Sequence, residues 1–161
     1  MWDTFVDRAC RALCRYFPSR CRVIPRADEP GTPLLTQFVV WPEKLYLQHF
    51  HSPESRDYFH WHRWEYMRSF VLSGQYREEH PVAAHFSWFI VRSRFQSHRM
   101  TNLWLHRVDS WSPKCWTLFY MGKVVDPEWG YVPRGLGPSI PWHRFVNEKI
   151  PHIETGKVTD R

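Results

Sequence analysis

The chain has 161 residues, a formal charge of +6, 43% hydrophobic and 17% aromatic residues and ten Trp, which bounds one globular domain with a sizeable core and excludes a disordered chain. Its basic residues are scattered rather than run together into a nucleic-acid arm, so most of the positive charge is expected on a solvated surface. No stretch approaches the roughly 18 consecutive apolar residues of a membrane span, and Met1 to Arg22 carries charges where a secretory leader needs an apolar core, so a cytosolic protein is expected.

Trp2, Phe5, Val6, Ala9, Leu13 and Tyr16 recur at steps of three and four, with Arg8, Arg11 and Arg15 elsewhere. This predicts an amphipathic helix ended by Pro18, its apolar stripe covering an open face of the domain. Cys10, Cys14 and Cys21 crowd this segment and, with Cys115, lack a secreted disulfide pattern; reduced structural thiols are expected, and Cys10 with Cys14 alone would not complete a zinc site. From Pro18 to Pro33 the chain reads as a polar, Pro-rich connector.

Leu35 to Trp41 and Leu45 to Phe50 are β-rich runs split by Pro42-Glu43-Lys44, which predicts a hairpin. His49 and His51 follow it, with surface or supporting roles expected. Phe59 to Ser73 reads as one strand ending at Gly74, and on a strand alternate side chains share a face, so His60 and His62 point the same way with Tyr66 and Arg68. Two neutral imidazoles side by side are half of a transition-metal site. Arg68 is expected either to clamp a substrate anion or to pair with Glu78 or Glu79 across the turn, and Tyr66 to pack with its hydroxyl bonded, secondarily as an acid near the metal. Beyond Gly74 the patterns predict strands at Tyr76 to Glu79, His85 to Val91, Thr101 to Val108 and Cys115 to Gly122, with Phe95 to Met100 a polar link. Asn102, Trp104, His106 and Val108 then share a face. The third metal ligand is His106 or His98, and the rigid strand position favours His106.

Phe59-His60-x-His62-x-Trp64, then Ser69-Phe70-Val71-Leu72-Ser73-Gly74-x-Tyr76-Arg77-Glu78-Glu79, resembles the first metal motif of the cupins as a group of uncharacterised small members writes it. His106-Arg107-Val108 with Trp116-Thr117-Leu118-Phe119 and Gly122 resembles the second motif, and Glu128-Trp129-Gly130-Tyr131, Pro133-x-Gly135 and Pro141-Trp142-x-x-Phe145 the closing segment. The resemblance covers about Leu35 to Val146. It implies an all-β, cupin-like double-stranded β-helix, a jelly-roll barrel, over 34–148. A helix and connector precede it over 1–33, a short helix near Trp142 to Glu148 closes it, and a polar tail follows over 149–161.

The resemblance further implies a metal held by His60, His62 and His106, with Tyr66 as the catalytic candidate and Arg68 and Trp104 as substrate contacts. The carboxylate that many cupins place later on the His-x-His strand is missing, since that slot falls on Tyr66 or Met67, and Arg63 stands where the group often has proline. Cupins with three histidines and no acidic ligand resemble thiol dioxygenases, so Fe(II) is the expected ion, with Zn(II) second. The expected activity is a metal-dependent oxygenase acting on a small, polar or anionic substrate. The alternative is a binding module for a small ligand or nucleic acid, with a structural metal or none. No membrane partner is expected, and homodimers are a family expectation.

Overall fold

The computed structural model describes residues 1–26, 29, 31–54, 57–83, 86–125 and 130–141. Helix α1 (Trp2–Tyr16) is followed by a single 3₁₀ turn, Pro18–Arg20, and then by strands. These are β1 (Cys21–Pro25), β2 (Pro33–Trp41), β3 (Leu45–Phe50), β4 (Tyr58–Trp61), β5 (Tyr66–Ser73), β6 (Gln75–Ala83), β7 (Phe86–Ser93), β8 (Ser97–Thr101), β9 (Arg107–Trp111), β10 (Trp116–Met121), β11 (Gly130–Pro133) and β12 (Ile140–Pro141). The all-β expectation holds. The closing helix and the tail expected beyond Pro141 lie outside the described residues, as do His85, Glu128 and Trp129.

One six-stranded antiparallel sheet runs β1-β2-β3-β10-β5-β8, and two three-stranded sheets run β12-β11-β4 and β7-β6-β9. The two small sheets meet where the His60 and His106 backbones exchange hydrogen bonds, 2.9 Å from His60 N to His106 O and 3.2 Å in return. Leu35, Phe50 and Val71 of the large sheet pack against Tyr76 and Val108 of the β7-β6-β9 sheet, so the core lies between two layers. Among the described residues the strands do not close into a barrel.

Helix α1 forms where its periodicity predicts and buries Val6 and Cys10 on Trp116, on the outer face of the large sheet. Asp7 Oδ1 accepts the Trp116 indole N–H at 3.0 Å, and the Trp2 indole donates to Leu72 O at 2.8 Å. Burial pushes the Cys10 thiol up to about 11 and the Cys14 thiol up to about 12, so both stay protonated thiols at neutral pH.

Three expectations change. The connector contains a strand, because β1 pairs with β2 at the edge of the sheet, where Pro25 loses no ladder bond. The run from Phe59 to Ser73 is two strands in two sheets, broken over 62–65, so the alternation restarts: Met67, Ser69, Val71 and Ser73 face inward. Finally, β8 begins at Ser97 inside the supposed polar link, while Asn102 and Leu103 form a turn rather than a strand. Gly74 closes the β5–β6 turn at φ +67°, and a Cβ there would lie 2.2 Å from Ser112 Oγ, so both conformation and space require glycine.

Candidate metal centre

His60 lies within β4, one residue before its end, His62 follows the strand in the break, and His106 sits just ahead of β9, opposite His60. The backbone bridge fixes the first and last rings. His62 reaches both, with Nε2 to Nε2 separations of 3.2 Å to His60 and 3.0 Å to His106. One ligand atom from each of the three lies within 4.8 Å of the others. An ion about 2.1 Å from each nitrogen fits such spacings, since two nitrogens 3.0–3.2 Å apart then subtend roughly 90–100°.

Carboxylates stand behind two of the rings. Glu54 Oε2 lies 3.1 Å from His60 Nδ1 and accepts the Val108 N–H at 2.8 Å. Glu78 Oε1 faces His106 Nδ1 at 3.6 Å, beyond hydrogen-bond length, and lies 3.2 Å from His98 Nε2, while its Oε2 accepts from Arg92 Nε at 3.1 Å. With the protons of His60 and His106 drawn to the Nδ1 side, their Nε2 lone pairs turn toward His62. His62 Nε2 can carry one proton, so it cannot satisfy both neighbours; a single cation satisfies all three nitrogens. The donor chemistry therefore fits a transition ion.

Burial disfavours charge on the rings: it holds His62 well below the usual imidazole range and lowers His106, with neighbouring imidazoles adding to both. Burial would raise Glu54 and Glu78, but the facing histidines outweigh it and hold both carboxyls below the usual range. His62 and His106 are thus set as neutral imidazole ligands, with ionised carboxylates behind the site.

Other sequence candidates fall elsewhere. Arg68 is exposed, and Tyr66 lies on the same outer face, its ring 6.0 Å from Tyr120 and under the Arg99 guanidinium at 4.6 Å. Both were placed inward by carrying one alternation across the 62–65 break. Nor does Arg68 meet Glu78 or Glu79, since Glu79 is buried against Arg107 (Nε, 2.7 Å) and Arg134 (Nη2, 2.6 Å). Trp104 lies tilted 5.5 Å from the His80 ring, which in turn lies 5.8 Å from the His106 ring. His98 is buried on β8 rather than solvated, and His49 is buried against Trp116, 4.8 Å away, outside the site.

Glu54 and Glu78 are the site residues that sequence reasoning missed. A signal existed for Glu78, since Tyr76, Glu78 and His80 alternate on β6 and an acid between two rings marks an inward position. Glu54 lies between β3 and β4 and had none.

All three histidines open onto a cavity of about 420 Å³ between the layers, within the usual range for small-molecule sites. Compared with known proteins, the chain matches no family model, and no curated protein matches its sequence.

Proposed function

We propose that the chain is a cupin-type, jelly-roll metal protein and, within that class, a mononuclear Fe(II) oxygenase acting on a small polar or anionic substrate. The strand order supports the class: β2-β3-β10-β5-β8 lies opposite β4-β9-β6-β7, and successive strands from β3 to β10 change sheet at every step but β6 to β7. Paired Greek keys generate that order. The observation that carries the function is the meeting of three Nε2 atoms, inside a cavity, at spacings that suit one ion. His60, His62 and His106 would hold it, leaving positions for small ligands, and the ion would supply Lewis-acid or one-electron chemistry. Iron is assigned before zinc because the ligand set lacks an acid, as in the three-histidine cupins.

One observation favours a non-catalytic binding module. With Tyr66 on the outer face, three acidic groups that line the cavity are not poised as proton donors: burial raises the Tyr76 hydroxyl well above its ordinary value, and Glu54 and Glu78 stay ionised.

Elemental analysis of protein purified without a metal-affinity tag, with anaerobic spectra before and after O2, separates the readings. Near-stoichiometric iron and a spectrum that responds to O2 are expected, and His60→Ala, His62→Ala and His106→Ala should each empty the site while the protein stays folded. A folded, metal-free wild type would leave the binding module.

A further inference from the structure

Buried polar atoms in native proteins have partners, and those without one call for an explanation. In the large sheet, Arg22 lies opposite Gln37, Gln37 opposite Gln48 and Gln48 opposite Thr117. Four polar residues thus form one straight row across β1, β2, β3 and β10, and all four line the cavity that holds the histidines. A polar row facing inward inverts the usual pattern of a sheet packed on a core. Arg22 is accounted for, because its Nε donates to Gln37 Oε1 at 2.8 Å and its guanidinium lies 5.3 Å from the Tyr46 ring. Thr117, 1% exposed, has an Oγ1 with no hydrogen bond, and the buried Gln48 lies opposite it in the ladder.

At the histidine end stands Arg63. It directly follows His62 and lines the same cavity, its Nε is buried without a partner, and among the described residues no carboxylate meets it. A guanidinium so placed offers the cavity a planar fork that matches a carboxylate. Phe50, Phe119 and Met121 supply apolar wall.

We infer that the cavity takes a small organic carboxylate: Arg63 receives the carboxylate beside the three histidines, and Gln48 and Thr117 hydrogen-bond a hydroxyl, amine or amide on the ligand from the opposite sheet. The inference rests on the metal reading for what happens to the ligand, not for where it binds. Arg63 replaces Arg68 as the anion clamp, and the ligand is an acid with a short apolar stem and a second polar group.

The test titrates wild-type protein, metal-free and Co(II)-loaded, with 3-hydroxybutyrate, butyrate and inorganic phosphate, followed by calorimetry and by the fluorescence of Trp64, which lines the cavity. Arg63→Gln should weaken binding of both carboxylates about 10- to 100-fold, with melting temperature and cobalt stoichiometry unchanged. Thr117→Val should weaken 3-hydroxybutyrate but not butyrate, and the outer-face variant Arg68→Gln should match the wild type. Equal carboxylate affinity in Arg63→Gln and wild type, absence of carboxylate binding to the wild type, or tighter binding of phosphate would each overturn the inference. Failure to take up cobalt, with the Arg63 dependence intact in the metal-free protein, would sink the metal reading and keep this one. Cobalt uptake without any Arg63 dependence would do the reverse.

Discussion

His62 and His106 contribute to the acid sensitivity of the metal-free protein, in the same window as His49 and His51. Their folded-state pKa values lie below the ordinary 6.5, first because of burial and then because of neighbouring rings. The unfolded chain therefore takes up protons near pH 6.5 while the folded site still resists them, so falling pH favours unfolding from that point down to the folded values; above it neither state binds a proton and the contribution is flat. The melting temperature of metal-free protein should hold steady above about pH 7 and decline below about 6.5. His62→Ala should flatten part of that decline. Glu54 and Glu78 act in a lower window, since their depressed pKa values keep a contribution that is present above about 4.5 and lost as pH falls through the folded values. At this scale the sequence was most informative about the histidines, because ligand chemistry is written in residue type. It was least informative about Tyr66 and Arg68, whose direction depends on a strand break that no residue between His62 and Glu65 announces.

Among the elements, β6 and β9 carry a charged seam on their outer face. Glu79 is fully buried, with Arg107 and Arg134 on its two oxygens, and Arg107 also donates to Asp109 Oδ1 at 3.1 Å. Arg107→Met leaves Glu79 with its exposed partner alone, so the loss should approach but not exceed the roughly 3–5 kcal/mol of a stranded buried carboxylate; denaturant unfolding should show it. Helix α1 is tied down by several polar contacts, of which the bond from the Trp116 indole to Asp7 is the one that satisfies a donor of a buried ring. Asp7→Ala removes the acceptor of a Trp116 indole that is 2% exposed, and an unpaired buried donor costs about 1–3 kcal/mol. The helix was legible from periodicity and Pro18, and the β2–β3 hairpin and the Gly74 turn from turn chemistry. Strand β1 was not, because an edge strand half exposed to solvent has the composition of a connector, and β8 was hidden because Ser97, His98 and Arg99 look solvated until His98 is seen against Glu78.

For the molecule as a whole, continuity of the second layer rests on few links. Across the joint between its two small sheets run the two His60–His106 backbone bonds, with Glu54 N to Val108 O at 3.1 Å and the Glu54 carboxylate on Val108 N beside them. The residues that stitch the joint are the ones whose rings converge in the cavity. An ion bound there would act as a clasp, so that filling the site and fastening one half of the layer to the other are a single event. Amide hydrogen exchange offers a direct reading of this: adding Fe(II) or Zn(II) should slow exchange at His60 and His106 more than at Val71 in the middle of β5. Occupancy of a chemical centre would then be felt as a change in how far the two halves can part, and the strength of the clasp would govern access to the space between the layers.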